Sequence, residues 1–177
     1  MPLHEFLTQT GRARHIGRLR PGGQLGPLLA TLLALMPGAA GAAGTATAIP
    51  CPGGTPPVLE VKVLGARSDH GRVVVTLWGG DPDRFLKHHG WIARGSAALA
   101  DHAARVCFAL SAAGTYAVSL YHDENGNGHF DRTLLGMPEE GYGVSNDAPT
   151  TMGLPAFSTT AMTVGPAGGT ATIHLRY

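Results

Sequence analysis

The chain has 177 residues, with 13 Lys and Arg against 12 Asp and Glu and a formal net charge of +1. Four of the basic residues (Arg12, Arg14, Arg18, Arg20) and one acid (Glu5) fall within residues 1–43, so the remainder is slightly acidic. A near-neutral remainder in which no Lys or Arg cluster sits among aromatics excludes nucleic-acid binding, which needs a basic face.

Residues 1–43 read as an export signal. The arginines form a basic n-region, Leu25–Met36 supply an apolar core, and Pro37-Gly38 break it. An A-x-A site follows at Ala40-Gly41-Ala42, with a second at Ala46-Thr47-Ala48. The pattern predicts cleavage near Ala42 or Ala43 and a periplasmic or secreted protein. The apolar run is shorter than the roughly 20 residues that cross a bilayer, so no stable membrane span is expected after cleavage. Pro50 before Cys51 spoils a lipobox, which argues against lipidation. Residues 44–177 then suffice for one domain with a core and hardly for two. An even cysteine pair in an oxidising compartment predicts a Cys51–Cys107 disulfide. The alternative is two free thiols, with Cys107 buried as a small hydrophobe.

Beyond the cysteine at 51, short alternating runs punctuated by Gly, Pro, Asn and Asp predict an all-β fold, a single antiparallel β-sandwich of about seven strands. Leu59, Val61 and Val63 share one face of the first strand, and Val73, Val75 and Leu77 one face of the second, which ends at Trp78. Asp81-Pro82-Asp83 predicts a helix start, one turn long, that buries Phe85 and Leu86. A strand follows from Trp91 to Ser96, and the alanine-rich stretch 97–104 carries no clear period. Val106, Phe108 and Leu110 mark the next strand. Thr115–His122 is the strongest of all, with Tyr116, Val118 and Leu120 on one face.

That strand feeds the run H-D-E-N-G-N-G-H-F-D, His122 to Asp131. Asp123, Asn125, Asn127 and Asp131 occupy relative positions 1, 3, 5 and 9, with Gly128 at position 6, where a calcium-binding EF-hand loop turns sharply. The His129 carbonyl falls where such a loop uses a backbone oxygen. Position 12 is Leu134, so the closing glutamate is missing, and Glu139 or Glu140 replaces it only by folding back. The metal reading is therefore a weak, stabilising calcium site. The alternative is a hairpin, since N-G-N-G supplies positive-φ turn residues and Asn and Asp bond their own backbone. From Arg132 to Phe157 periodicity is lost, and a loop of that length in a compact domain is commonly functional or disordered. Leu134, Leu135, Met137, Tyr142, Val144 and Phe157 argue against disorder. Thr159–Val164 and Thr170–Arg176 are the last predicted strands.

The motifs G-T-Y-A-V-S-L-Y-H-D-E-N-G-N-G-H-F-D, G-M-P-E-E-G-Y-G-V-S-N and G-L-P-A-F, in that order, resemble a bacterial exported family, domain of unknown function 2141. The resemblance covers roughly residues 55–177. It implies a small β-sandwich of transthyretin-like or prealbumin-like topology, and no activity. The Cys51 and Cys107 pair also looks like what some members carry.

Three functional readings follow. The first is an exported binding or accessory module, with Glu139, Tyr142, Ser145, Asn146 and Phe157 as a candidate binding loop and an unknown ligand or protein partner. The second is a hydrolase using the Glu139–Asp147 loop. Against it, G-V-S-N-D around Ser145 lacks the G-x-S-x-G elbow, adjacent carboxylates do not make a glycosidase pair, and Glu139, Ser145 and Asn146 suit bonding to loop backbone. The third is a periplasmic transition-metal protein using His122 and His129. Scattered surface histidines, His88 and His89 among them, are its bland counterpart, because no H-x-H or HExxH spacing occurs. Trp78, Trp91, Tyr142 and Phe157 suit either a binding surface or core packing.

Overall fold

The computed structural model describes residues 46–51, 54–150 and 153–177. The export signal read in residues 1–43 lies outside them. The described residues form an all-β sandwich of two sheets. The strands are β1 (Ala46–Ile49), β2 (Val58–Leu64), β3 (Arg72–Trp78), β4 (Trp91–Ala98), β5 (Ala103–Leu110), β6 (Gly114–Asp123), β7 (Tyr142–Val144), β8 (Met162–Val164) and β9 (Gly169–His174). One sheet has the order β1-β5-β2-β9, the other β4-β3-β6-β7, with β8 also paired to β6.

Two expectations are corrected. There are nine strands rather than about seven, because β1 and β7 span only four and three residues, too few to show a period. The sandwich is also not wholly antiparallel. The chain re-enters the first sheet at β9 in the same direction as β2, from Leu59↔Gly169 to Leu64↔His174.

Period-2 alternation drives the packing. Leu59, Val61, Val63, Val106 and Phe108 face Val73, Val75, Leu77, Val118 and Leu120 in one buried cluster. Burying each such side chain contributes about 1.5–3 kcal/mol relative to exposure. At the inward position of β7, a Cβ on Gly143 would sit 2.7 Å from Ile173 Cγ2, so glycine lets β7 lie against β9. Cys51 bonds Cys107, with Cα atoms 5.5 Å apart, and fixes the short β1 to β5.

The outer face of the second sheet is covered as well. Asp81 Oδ1 accepts the Asp83 N–H at 2.9 Å. Successive turns follow as far as Gly90, with Leu86 at a φ of 55° and His89 at 57°. No helix forms at 81–86, in contrast to the expectation, yet Phe85 is buried and Leu86 half-buried. The expected strand at 159–164 begins instead with a helical turn, α1 (Phe157–Thr160). Trp78, Phe85 and Phe157 stack edge to face at centroid distances of 5.7 and 5.5 Å. Phe157 and Trp78 therefore serve packing, while Trp91 stays 40% exposed on the edge strand β4.

Candidate functional site

Strand β6 delivers its last two side chains to opposite faces, and both are fully buried: His122 inward, Asp123 outward. Asp123 Oδ2 accepts the Arg72 Nε–H at 3.0 Å, and its two oxygens share the Gly128 N–H at 3.3 and 3.2 Å. Burial pushes the Asp123 carboxyl up, but Arg72 and the Gly128 N–H more than offset it and hold the group below its usual range. Gly126 and Gly128, at φ of 73° and 79°, turn the chain back. Each glycine sits inside an Asx turn: Asn125 Oδ1 accepts the Asn127 N–H at 3.0 Å, and Asn127 Oδ1 the His129 N–H at 2.8 Å. Both amide groups then donate to Asp131 Oδ2, at 2.7 and 2.8 Å.

Glu140 folds back onto this loop. Its carboxylate is 5% exposed and accepts the Glu124 N–H at 3.3 Å and the Asp131 N–H at 3.2 Å. Burial raises its pKa above the usual glutamate range, and the negative charges of Asp131 and Asp123 add to the rise against the pull of the N–H donors. Glu124 is shifted the other way, held low by the Arg67 guanidinium. Beneath it, His122 Nε2 lies 2.7 Å from the His70 carbonyl and Nδ1 2.7 Å from the Tyr177 hydroxyl. Since the carbonyl only accepts, Nε2 carries a proton and donates to it.

The residues with metal-binding spacing are thus together in one loop. The oxygens of Asp123, Asn125 and Asn127 and one oxygen of Asp131, however, are engaged by N–H donors, Arg72 among them. Among the described residues no group of three or more His, Cys, Asp or Glu side chains is arranged to hold a metal. The transition-metal pair is not assembled either. His122 is buried with both ring nitrogens engaged, contrary to its reading as a surface histidine, and His129 is exposed. His88 and His89 do lie on the surface, as neighbours in the 81–90 turn.

The Glu139–Asp147 segment is similarly committed to structure. Ser145 is fully buried, and its Oγ accepts the Val118 N–H at 3.0 Å and donates to the Thr160 carbonyl. Asn146, at a φ of 62°, donates through Nδ2 to the Thr159 and Ala161 carbonyls. Asp147 accepts both the His174 N–H and its Nδ1–H, at 2.9 and 2.6 Å. The Glu139 side chain is exposed, and among the described residues only its backbone is bonded, to Asp131 and Arg67.

An opening lies next to this segment, on the outer face of the second sheet. Ser119 and Tyr121 of β6 and Tyr142 and Val144 of β7 form the floor of a groove of about 510 Å³. One wall is the hairpin Phe130–Pro138, joined by an Arg132↔Pro138 bridge. Its tip is a turn from Thr133 to Gly136, where Gly136 takes a φ of 79°. Leu134 and Leu135 stand fully exposed there. The opposite wall carries Thr150, Leu154 and Pro155. Tyr121 donates its hydroxyl to the Gly128 carbonyl at 2.9 Å, and the Tyr142 hydroxyl pairs with Thr150 Oγ1 at 2.9 Å. With both hydroxyls tied, the rings face the groove as apolar surface. Tyr142 belongs to the predicted binding loop, but Leu86, Phe130, Met137 and Leu154 were not read as site residues. Their only sequence signal is apolar character in a segment of turn formers.

No helix among the described residues is long and apolar enough to cross a membrane. No curated protein and no solved structure matches the chain. The motif-bearing strand β6, its Asp/Asn loop and the segment through Ser145 all fall within residues 61–173, which match the family described as "uncharacterized protein conserved in bacteria", domain of unknown function 2141, and to this family the chain belongs.

Proposed function

We propose that the protein is an exported binding module whose ligand surface is the groove over β6 and β7. The observation that carries this reading is the groove itself. Its volume is in the range of small-ligand sites, and its lining is predominantly apolar and aromatic with few polar groups, the usual make-up of such sites. Export is supported by the signal-like residues 1–43 and by the disulfide. The test is chemical-shift mapping of the purified protein against a library of small apolar compounds. Hits with dissociation constants below about 1 mM that move the Tyr121, Tyr142 and Met137 resonances support the reading. If all hits scatter elsewhere, or none occurs, the groove is not the site.

Calcium enters as a stabiliser of the loop that carries one wall of this groove. What supports it is the spacing of Asp123, Asn125, Asn127 and Asp131 in one turn, with Glu140 folded back onto that turn, although these carboxylates are not arranged as a metal-binding group among the described residues. A cation there competes with Arg72 for Asp123 and with the Asn amides for Asp131. Affinity is accordingly no better than the 10⁻⁴–10⁻³ M typical of extracellular calcium modules. Calorimetric titration of calcium into metal-stripped protein, beside an Asp123→Ala, Asp131→Ala double variant, tests it. Absence of heat and of any thermal shift leaves the loop as turn chemistry alone.

A further inference from the structure

We infer that the groove over β6 and β7 selects a small amphipathic carboxylate, with an apolar body lying on Tyr121, Tyr142 and Met137 and the acid paired with Arg132. The inference rests on the groove being the binding site. Arg132 is the one charged side chain that lines it among the described residues; no Asp, Glu, Lys or His does. Apart from this guanidinium the groove has little to stabilise a charged group, so a ligand's charge, if it has one, is decided here.

The placement of Arg132 suits that task. Its guanidinium lies over the Phe130 ring at 4.7 Å, and Nη1 donates to the Gly136 carbonyl at 3.1 Å. These two contacts fix the group between the base and the tip of the hairpin. Among the described residues no carboxylate pairs with it, unlike Arg67 and Arg72, each of which has one. The planar fork retains donors that match a carboxylate two to two. Around it, Met137 and Leu154 are 64% and 72% exposed at the rim. An alkyl or aryl body that covers them removes apolar surface from water, which a fully polar anion such as phosphate cannot do. A cationic amphiphile meets like charge at the same position. The groove's two features, one guanidinium without a carboxylate partner among the described residues and an apolar floor, therefore specify the two halves of the ligand.

The experiment is calorimetric titration of the purified protein with octanoate, 1-octanol and octylammonium, each below its micelle or solubility limit. Octanoate is expected to bind about tenfold or more tighter than 1-octanol, the effect of one charge-assisted hydrogen-bonded pair, and octylammonium weakest. Arg132→Met keeps the apolar stem and should bring octanoate down to the level of 1-octanol, with 1-octanol losing far less than octanoate. Arg132→Lys should keep the order octanoate, octanol, octylammonium, which controls for damage to the hairpin. Equal affinity for octanoate and 1-octanol overturns the charge selection and leaves the groove as a site. Failure of all three to bind at the groove overturns both readings together.

Discussion

The carboxylate of Glu140 accepts the backbone N–H of Asp131 at 3.2 Å and so closes, by a hydrogen bond, the loop whose twelfth position is Leu134. Its other oxygen holds the Glu124 N–H. One side chain thus ties both ends of the loop and the entry to β7 to the end of β6. Replacing it leaves two N–H groups without their acceptor in a buried place. Glu140→Gln should cost about 1–3 kcal/mol, since the amide can accept with only one of its two ends. Part of that loss is offset because the charge repulsion with Asp131 and Asp123 disappears. A urea midpoint equal to wild type would show that the closure contributes nothing.

Removal of the Cys51–Cys107 bond acts through the denatured chain. The bond closes a loop of sequence separation 56, for which the chain-entropy relation gives roughly 4 kcal/mol. In the folded protein the same bond is the covalent anchor of β1, a strand of four residues paired only to β5. Cys51→Ser with Cys107→Ser should therefore lower stability by up to about 4 kcal/mol. Amide exchange should accelerate first at position 107 and at Ala109, whose N–H groups face β1, whereas the Leu110 N–H is bonded to the Pro57 carbonyl on the other side. Loss spread evenly over both sheets, with β1 partners no faster than the rest, would contradict this anchoring role.

Acid should weaken the junction between the β2–β3 connection and the loop. The Glu124 carboxyl is held below its usual range first by Arg67 and then, against some burial, by the Ser68 hydroxyl. A depressed carboxyl contributes stability that is complete above its unfolded value of about 4.3 and is lost as pH falls through the folded value. Arg67 faces solvent, so the contribution is below about 1 kcal/mol. Arg67→Ala should show a smaller drop in urea midpoint between pH 6 and pH 3 than wild type does. An identical drop in both proteins would place the acid sensitivity elsewhere.

How much of this was legible depends on the range of the interactions. The strands β2, β3, β5 and β6 could be read because Val61-x-Val63, Val73-x-Val75, Val106-x-Phe108 and Tyr116-x-Val118 repeat every second residue, and one buried face imposes that period. The β4–β5 hairpin could not. Its turn uses Asp101 and His102 at φ of 53° and 60° instead of glycine, and Asp69, some thirty residues earlier, pins it by accepting both N–H groups. The fold-back of Glu140 is of the same kind, since adjacent acids at 139 and 140 give no sign of which is buried. The groove is assembled from Leu86, Phe130, Tyr142 and Leu154, which only the tertiary fold brings together. The Asx turns at Asn125 and Asn127, by contrast, follow from residue type and spacing alone.

Ser145 offers the sharpest separation of a structural from a chemical role. Its hydroxyl is the acceptor for the Val118 N–H and a donor to the Thr160 carbonyl, and the residue is fully buried. It therefore fastens the segment after β7 to β6 and to α1 in the space where an attacking oxygen would need room and a base. Among the described residues no imidazole or carboxylate bonds to it. Ser145→Ala strips the Val118 N–H of its side-chain partner in a dry site, at a cost of about 1–3 kcal/mol. Ser145→Thr keeps the hydroxyl but adds a methyl to a filled space, so it too should destabilise, by overpacking. If the hydroxyl is purely structural, both variants melt earlier, and ester, glycoside and peptide substrates turn over no differently from wild type at a temperature where all three proteins are folded. A hydrolytic activity of the wild type that Ser145→Ala abolishes while still folded would reverse this assignment and make the buried hydroxyl a nucleophile exposed by motion.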